Sequence, residues 1–119
     1  LPFKDLSKAE QGESSANIRE RVLRARYIQT ERFKNYPNIH CNAQMSERMI
    51  HEFVEPDEQS LEILRKAMEN LKLSARAYNR ILKVARTIAD LEASPKVQVH
   101  HIAEAIGYRS LDRGDWGER

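Results

Sequence analysis

Arg76, Arg80, Lys83 and Arg86 recur every three to four residues, the spacing that stacks side chains along one strip of an α-helix. Asn79, Thr87 and Asp90 share that strip, so four cations stand against a single anion. At a helix start the unpaired backbone N–H groups already favour anions. A cationic strip there suits a phosphate or the carboxylates of a partner. A second set, Arg19, Arg21, Arg24 and Arg26 with Arg32, surrounds another helical segment. It reads either as arginines whose stems frame a buried seam or as a basic surface for nucleic acid or an acidic neighbour.

Other chemistries find no support in the residues. His40, the lone cysteine Cys41 and His51 do not make four zinc ligands at recognisable spacing. His100 and His101 read as surface or first-turn residues with no catalytic companion, so no metal site is expected. There is no G-x-x-x-x-G-K-[ST] loop to cradle a triphosphate, no strand ending in paired acids for magnesium, and no G-x-S-x-G elbow. Alone, the chain is expected to be neither an enzyme nor the holder of a cofactor.

The elements that must position these cations are helices. Leu73–Glu92 carries Ala77, Ile81, Val84, Ala85, Ile88 and Leu91 on one broad face, widened by Tyr78, Leu82 and Ala89. Nearly half its circumference is apolar, which marks a central, largely buried helix capped by Ser74. A first helix runs from Ser14 or Ser15 to about Asn35, with the stripe Ile18, Val22, Ala25 and Phe33 centred on Gln29. After a loop over residues 35–44, Ser46 caps a short helix burying Met49, Ile50, Phe53 and Val54, stopped by Pro56. A third helix, from Asp57 to about Leu71, buries Leu61, Ile63, Leu64, Ala67, Met68 and Leu71. Only a two- or three-residue turn separates it from the central helix, so the two are expected to pack together. Pro95 ends the central helix; Val97–Val99 is briefly extended, and a last helix from His100 to Tyr108 buries Ile102, Ala105 and Ile106. The fold class is all-α, about five helices in a bundle over residues 14–109. Residues 1–13 form an extended lead-in and residues 110–119, with Trp116, a flexible tail.

A chain of 119 residues suits one domain with a modest core. Net charge is only +2, but it is unevenly placed. Residues 1–36 hold eight Lys/Arg against five Asp/Glu, residues 47–69 three against seven, and residues 71–90 five against one. Two basic elements thus bracket an acidic one; part of this charge is expected to pair internally and part to face partners. No apolar run reaches the ~18 residues of a membrane span, and a single cysteine fits a reducing compartment. A cytoplasmic setting with no membrane contact is expected. The opening residue, Leu1, marks the chain as an expected piece of a longer protein.

GESSANIRERVLRARYIQTERF (Gly12–Phe33), CNAQM (Cys41–Met45), LSARAYNRILKVARTIADLE (Leu73–Glu92) and HIAEAIGYRSLDRGDW (His101–Trp116), in this order and spacing, resemble the C-terminal part of magnesium-chelatase-related AAA+ ATPases of the bacterial ComM/YifB type. The resemblance implies a helical lid following an ATP-binding core, which would lie upstream of Leu1 and bind ATP with Mg²⁺. It implies that Ser74-Ala75-Arg76 is the S/T-x-R start of the lid helix, making Arg76 the second sensor arginine, with Arg80 a weaker candidate. Arg86 and Lys83 are then expected in ion pairs within the domain or between subunits, and Arg19, Arg21, Arg24 and Arg26 at subunit or nucleic-acid contacts. The implied partners are the core in cis, neighbouring subunits of a hexameric ring, and DNA undergoing branch migration during competence. Two other classes stay open: a stand-alone helical nucleic-acid-binding module and a purely structural oligomerisation domain.

Overall fold

The computed structural model describes residues 14–112, with side chains through Tyr108. The expected lead-in over 1–13 and most of the expected tail, including Trp116, lie outside the described residues. Among those described there are five α-helices and no strand: α1 (Ser15–Arg32), α2 (Glu47–Phe53), α3 (Glu58–Leu71), α4 (Ala75–Leu91) and α5 (Val99–Asp112). A 3₁₀ turn, Asn42–Gln44, interrupts the loop before α2. The all-α expectation holds, and among the described residues no helix is long and apolar enough to cross a membrane.

Four helix starts follow from local chemistry. Ser14, Ser46, Asp57 and Ser74 each hold an extended backbone and accept a hydrogen bond from the backbone N–H three residues on. Each satisfies one of the donors that a helix start leaves unpaired. At Asp57 the bonds from Ser60 hold the carboxyl below its usual range.

α4 is the central element. Ala77, Ile81, Leu82, Ala85, Ile88 and Ala89 are buried, and α1, the 3₁₀ turn, α2 and α5 all pack on it. Phe33, Tyr36 and Phe53 close one end of the core in mutual edge-to-face contacts with centroids 5.7–6.2 Å apart. The expected partnership of α3 with α4 is corrected: α3 packs on α5. Lys72, in the left-handed conformation at φ 53°, turns the chain sharply between the two helices.

Other expectations are corrected as well. Ile18 and Val22 are 44% and 38% exposed, and of the expected stripe only Ala25, Gln29 and Phe33 are buried among the described residues. Leu61 and Val84, placed on apolar faces by periodicity, are exposed at the edges of those faces. The last helix begins at Val99, not after it, and runs to Asp112. Gly107 does not stop it, since a helical glycine costs only about 1 kcal/mol against alanine.

Candidate functional site

α1 and α4 lie side by side and leave between them an open groove of about 1280 Å³, with the end of α5 on its rim. Five cations line it: Arg21 and Arg24 from α1, and Arg76, Arg80 and Lys83 from α4. Val84, Ile88 and Leu91 supply apolar surface, and Glu92, Glu104 and Tyr108 contribute from the cap of α4 and from α5. The structure thus brings together five of the nine cations singled out in the sequence.

Arg76 sits in the first turn of α4, exposed, and makes no hydrogen bond or ion pair among the described residues. The positive end of the helix dipole disfavours a cation at this position. No acidic residue occupies that first turn, whereas α2 and α3 begin with Glu47 and Glu58.

The other groove cations are partly engaged. Arg24 donates through Nη2 to the Leu91 carbonyl at 3.0 Å, tying α1 to the last turn of α4. Lys83 donates through Nζ to the Ala43 carbonyl at 3.0 Å, and no ion pair of Lys83 is found among the described residues. Arg19 and Arg26 are exposed on α1 and do not line the groove.

Arg86 makes the ion pair within the domain that is expected of it, with Asp90, but its place on an exposed cationic strip is corrected. Periodicity assigns it to the cationic strip with Arg76, yet it is 3% exposed and unavailable to nucleic acid or a neighbouring subunit. Its guanidinium donates to the carbonyls of Phe53, Ser94 and Pro95 at 2.8–3.3 Å and pairs with Asp90 at 3.1 Å. Burial pushes its pKa below the usual arginine value, with Asp90 opposing. Asp90, fully buried, also receives both Nη atoms of Arg32 at 2.7 and 2.8 Å and the Asn42 amide at 2.9 Å. Gln29 accepts from the Asn42 backbone N–H at 3.0 Å, so the polar residue at the centre of the α1 stripe has a partner. This cluster fixes α1, the 3₁₀ turn and α4 against one another, and with them the two walls of the groove.

His101 lies in the first turn of α5, one of the two places expected of it, but it is wholly buried and not at the surface. Its Nε2 lies 2.8 Å from Glu92 Oε1, and exposed His100 Nε2 lies 3.1 Å from the same oxygen. These hydrogen bonds, that of His101 foremost, hold the Glu92 carboxyl below its usual range. The three residues bring potential metal ligands within 4.8 Å of one another, but the hydrogen bonding opposes a metal. His101 Nδ1 accepts from the Gln98 backbone N–H at 2.9 Å, so the ring proton must sit on Nε2. A metal at Nε2 would need that proton on Nδ1, facing another N–H. The trio is a clamp that caps α5 and ties its start to the end of α4.

Sequence reasoning did not find Tyr108 or Glu104, although their four-residue spacing is a signal: the phenol donates to the carboxylate at 3.1 Å. No local pattern points to Asn42, whose side chain bridges Arg32, Thr87 and Asp90.

The family model described as magnesium chelatase, subunit ChlI C-terminal, matches residues 12–109. This chain belongs to that family. It is 42% identical over 104 residues to the competence protein ComM of Haemophilus influenzae, covering 87% of this chain and 19% of that relative. It is 38% identical over 105 residues to the uncharacterized protein YifB of Salmonella typhimurium, covering 88% and 20%, and 39% identical over 102 residues to YifB of Escherichia coli, covering 86% and 19%. The chain therefore spans about a fifth of the length of these relatives. It is an all-α C-terminal domain of the ComM/YifB type.

Proposed function

We propose that this chain is the lid of a ring-forming AAA+ ATPase, in which Arg76 contacts the nucleotide phosphates. The supporting observation is Arg76 itself, exposed in the uncompensated first turn of α4, without a partner among the described residues, in a groove with four further cations. A charge-assisted hydrogen bond to a γ-phosphate would form there and be lost on hydrolysis. α4 would carry the change to the lid, since the buried Asp90 cluster makes α1 and α4 move together. The ATP-binding core, acting in cis, would hold ATP with Mg²⁺; this chain would supply only the sensing cation, with Arg80 in a supporting place. Neighbouring subunits of a hexamer would feel the movement. The competence-protein name of the Haemophilus influenzae relative favours a parent that processes DNA in the cytoplasm.

In the full-length parent, Arg76→Ala is expected to lower ATP turnover by about 10²-fold, the size of effect seen when one preorganised donor is removed, with the lid still folded by circular dichroism. Wild-type turnover in that variant overturns the assignment. The five-cation groove also carries a second reading, a nucleic-acid-binding module. That reading requires the isolated chain to bind DNA with an affinity falling steeply as salt rises, and absence of binding at low salt removes it.

A further inference from the structure

The groove has two halves. Arg76 and Arg80 stand at the end nearer the start of α4, while Val84, Ile88 and Leu91 line the other as one apolar strip at helical spacing. Val84 remains 38% exposed. It stands about 12 Å along the helix axis from Arg76, so a phosphate held at Arg76 leaves this half uncovered. Arg24 and Lys83 border it, each already donating to a backbone carbonyl. Apolar surface edged by an arginine and a lysine suits an aromatic ring, which packs on the one and attracts the other through its face.

The chain carries such a ring within reach. Glu104 and Tyr108 put α5 on the rim of the groove, and α5 ends at Asp112, one turn or about 6 Å beyond Tyr108. Trp116, the single tryptophan, follows four residues later in the run Arg113-Gly114-Asp115-Trp116-Gly117. Four residues span up to about 13 Å, enough to return past Tyr108, and Gly114 permits the reversal that this requires. Arg113 and Arg119 balance Asp115 and Glu118 in this segment, and the groove itself holds Glu92 and Glu104 beside its five cations. The ring, not net charge, therefore selects the site.

We propose that Trp116 seats in the apolar half of the groove of its own chain, on Val84, Ile88 and Leu91 between Arg24 and Lys83. Residues 113–119 then close this half of the groove to nucleic acid and leave its other end accessible. The seat uses neither Arg76 nor Arg80, so it stands or falls separately from the role of Arg76.

Selective excitation of Trp116 in the 119-residue chain tests this directly. At micromolar concentration its emission is expected to be blue-shifted from that of the urea-unfolded chain, with an acrylamide quenching constant several-fold smaller. Val84→Asp, at an exposed position, should move both to the unfolded values with helicity unchanged by circular dichroism. Val84→Gln, which suits a helix better, should move them part of the way and decides the matter if the aspartate unfolds the chain. Emission and quenching in the folded wild-type chain that match those of the unfolded chain overturn the proposal. A shielded Trp116 that neither substitution exposes overturns it as well, since the ring then lies elsewhere. Shielding that grows with protein concentration also overturns it, by placing the ring on a second copy.

Discussion

Arg76 and Arg86 lie on one helix and, by periodicity, on one strip, yet they meet opposite surroundings. Arg86 is sealed among three carbonyls and Asp90, whereas Arg76 stands in the open groove with no partner among the described residues. The difference comes from what crosses each end of α4. At the C-terminal end, the 94–95 loop and the end of α2 close over the helix, and Arg32 arrives from α1 to share Asp90. At the N-terminal end the helix wall is left open. One end of the helix uses arginine to build the domain; at the other, the arginine is left exposed in the groove.

The sharpest way to break this contrast is Asp90→Ala. It leaves Arg86 and Arg32 facing each other without their shared carboxylate, and a buried pair that loses one member typically costs about 3–5 kcal/mol. Urea denaturation should show a loss of that size; a loss below 1 kcal/mol would mean that the cluster does not hold the walls. Ser74→Ala acts at the other end of α4, removing the bond to the Ala77 N–H, and should cost about 1 kcal/mol by the same measurement. Arg76→Ala should change stability by less than about 0.5 kcal/mol, so that its effect falls on turnover alone. A marked destabilisation would make Arg76 structural like Arg86 and erase the distinction.

A pH titration gives the smallest effect. The carboxyls of Glu92 and Asp57 are held below their ordinary values in the folded chain, so the unfolded chain binds their protons more readily. Their stabilisation is therefore complete above the ordinary carboxylate range, above about pH 5, and decays as the pH falls through it. The urea midpoint should drop between pH 5 and pH 3, and Glu92→Gln with Asp57→Asn should flatten the drop. A midpoint that rises on acidification contradicts the clamp.

The sequence made the caps legible because a cap is local: Ser46 or Ser74 needs only the backbone three residues on. The all-α class and the core face of α4 follow from period, which is local as well. The fate of Arg86 is not local. With Asp90 four residues away it resembles an exposed intrahelical pair, and only Arg32, Asn42 and the 94–95 loop, all brought in by the tertiary fold, bury it. His101 is hidden for the same reason, since its burial depends on Glu92 and on the backbone at Gln98. Ile18 and Val22 err the other way: their period is helical, but the described residues provide nothing for that part of α1 to pack against. Five groove cations were visible as types and spacings; that Arg21 and Arg24 face Arg76, Arg80 and Lys83 across one groove was not.

The buried carboxylate of Asp90 also affects what binding would cost. Because it fixes α1, the 3₁₀ turn and α4 before any ligand arrives, an anion entering the groove finds its backbone already ordered. The entropy lost on capture is then confined to a few side-chain rotors and the ligand itself, about 0.5–1.5 kcal/mol for each immobilised arginine or lysine. Preorganisation at one end of α4 leaves more of the attraction at the other end to appear as affinity.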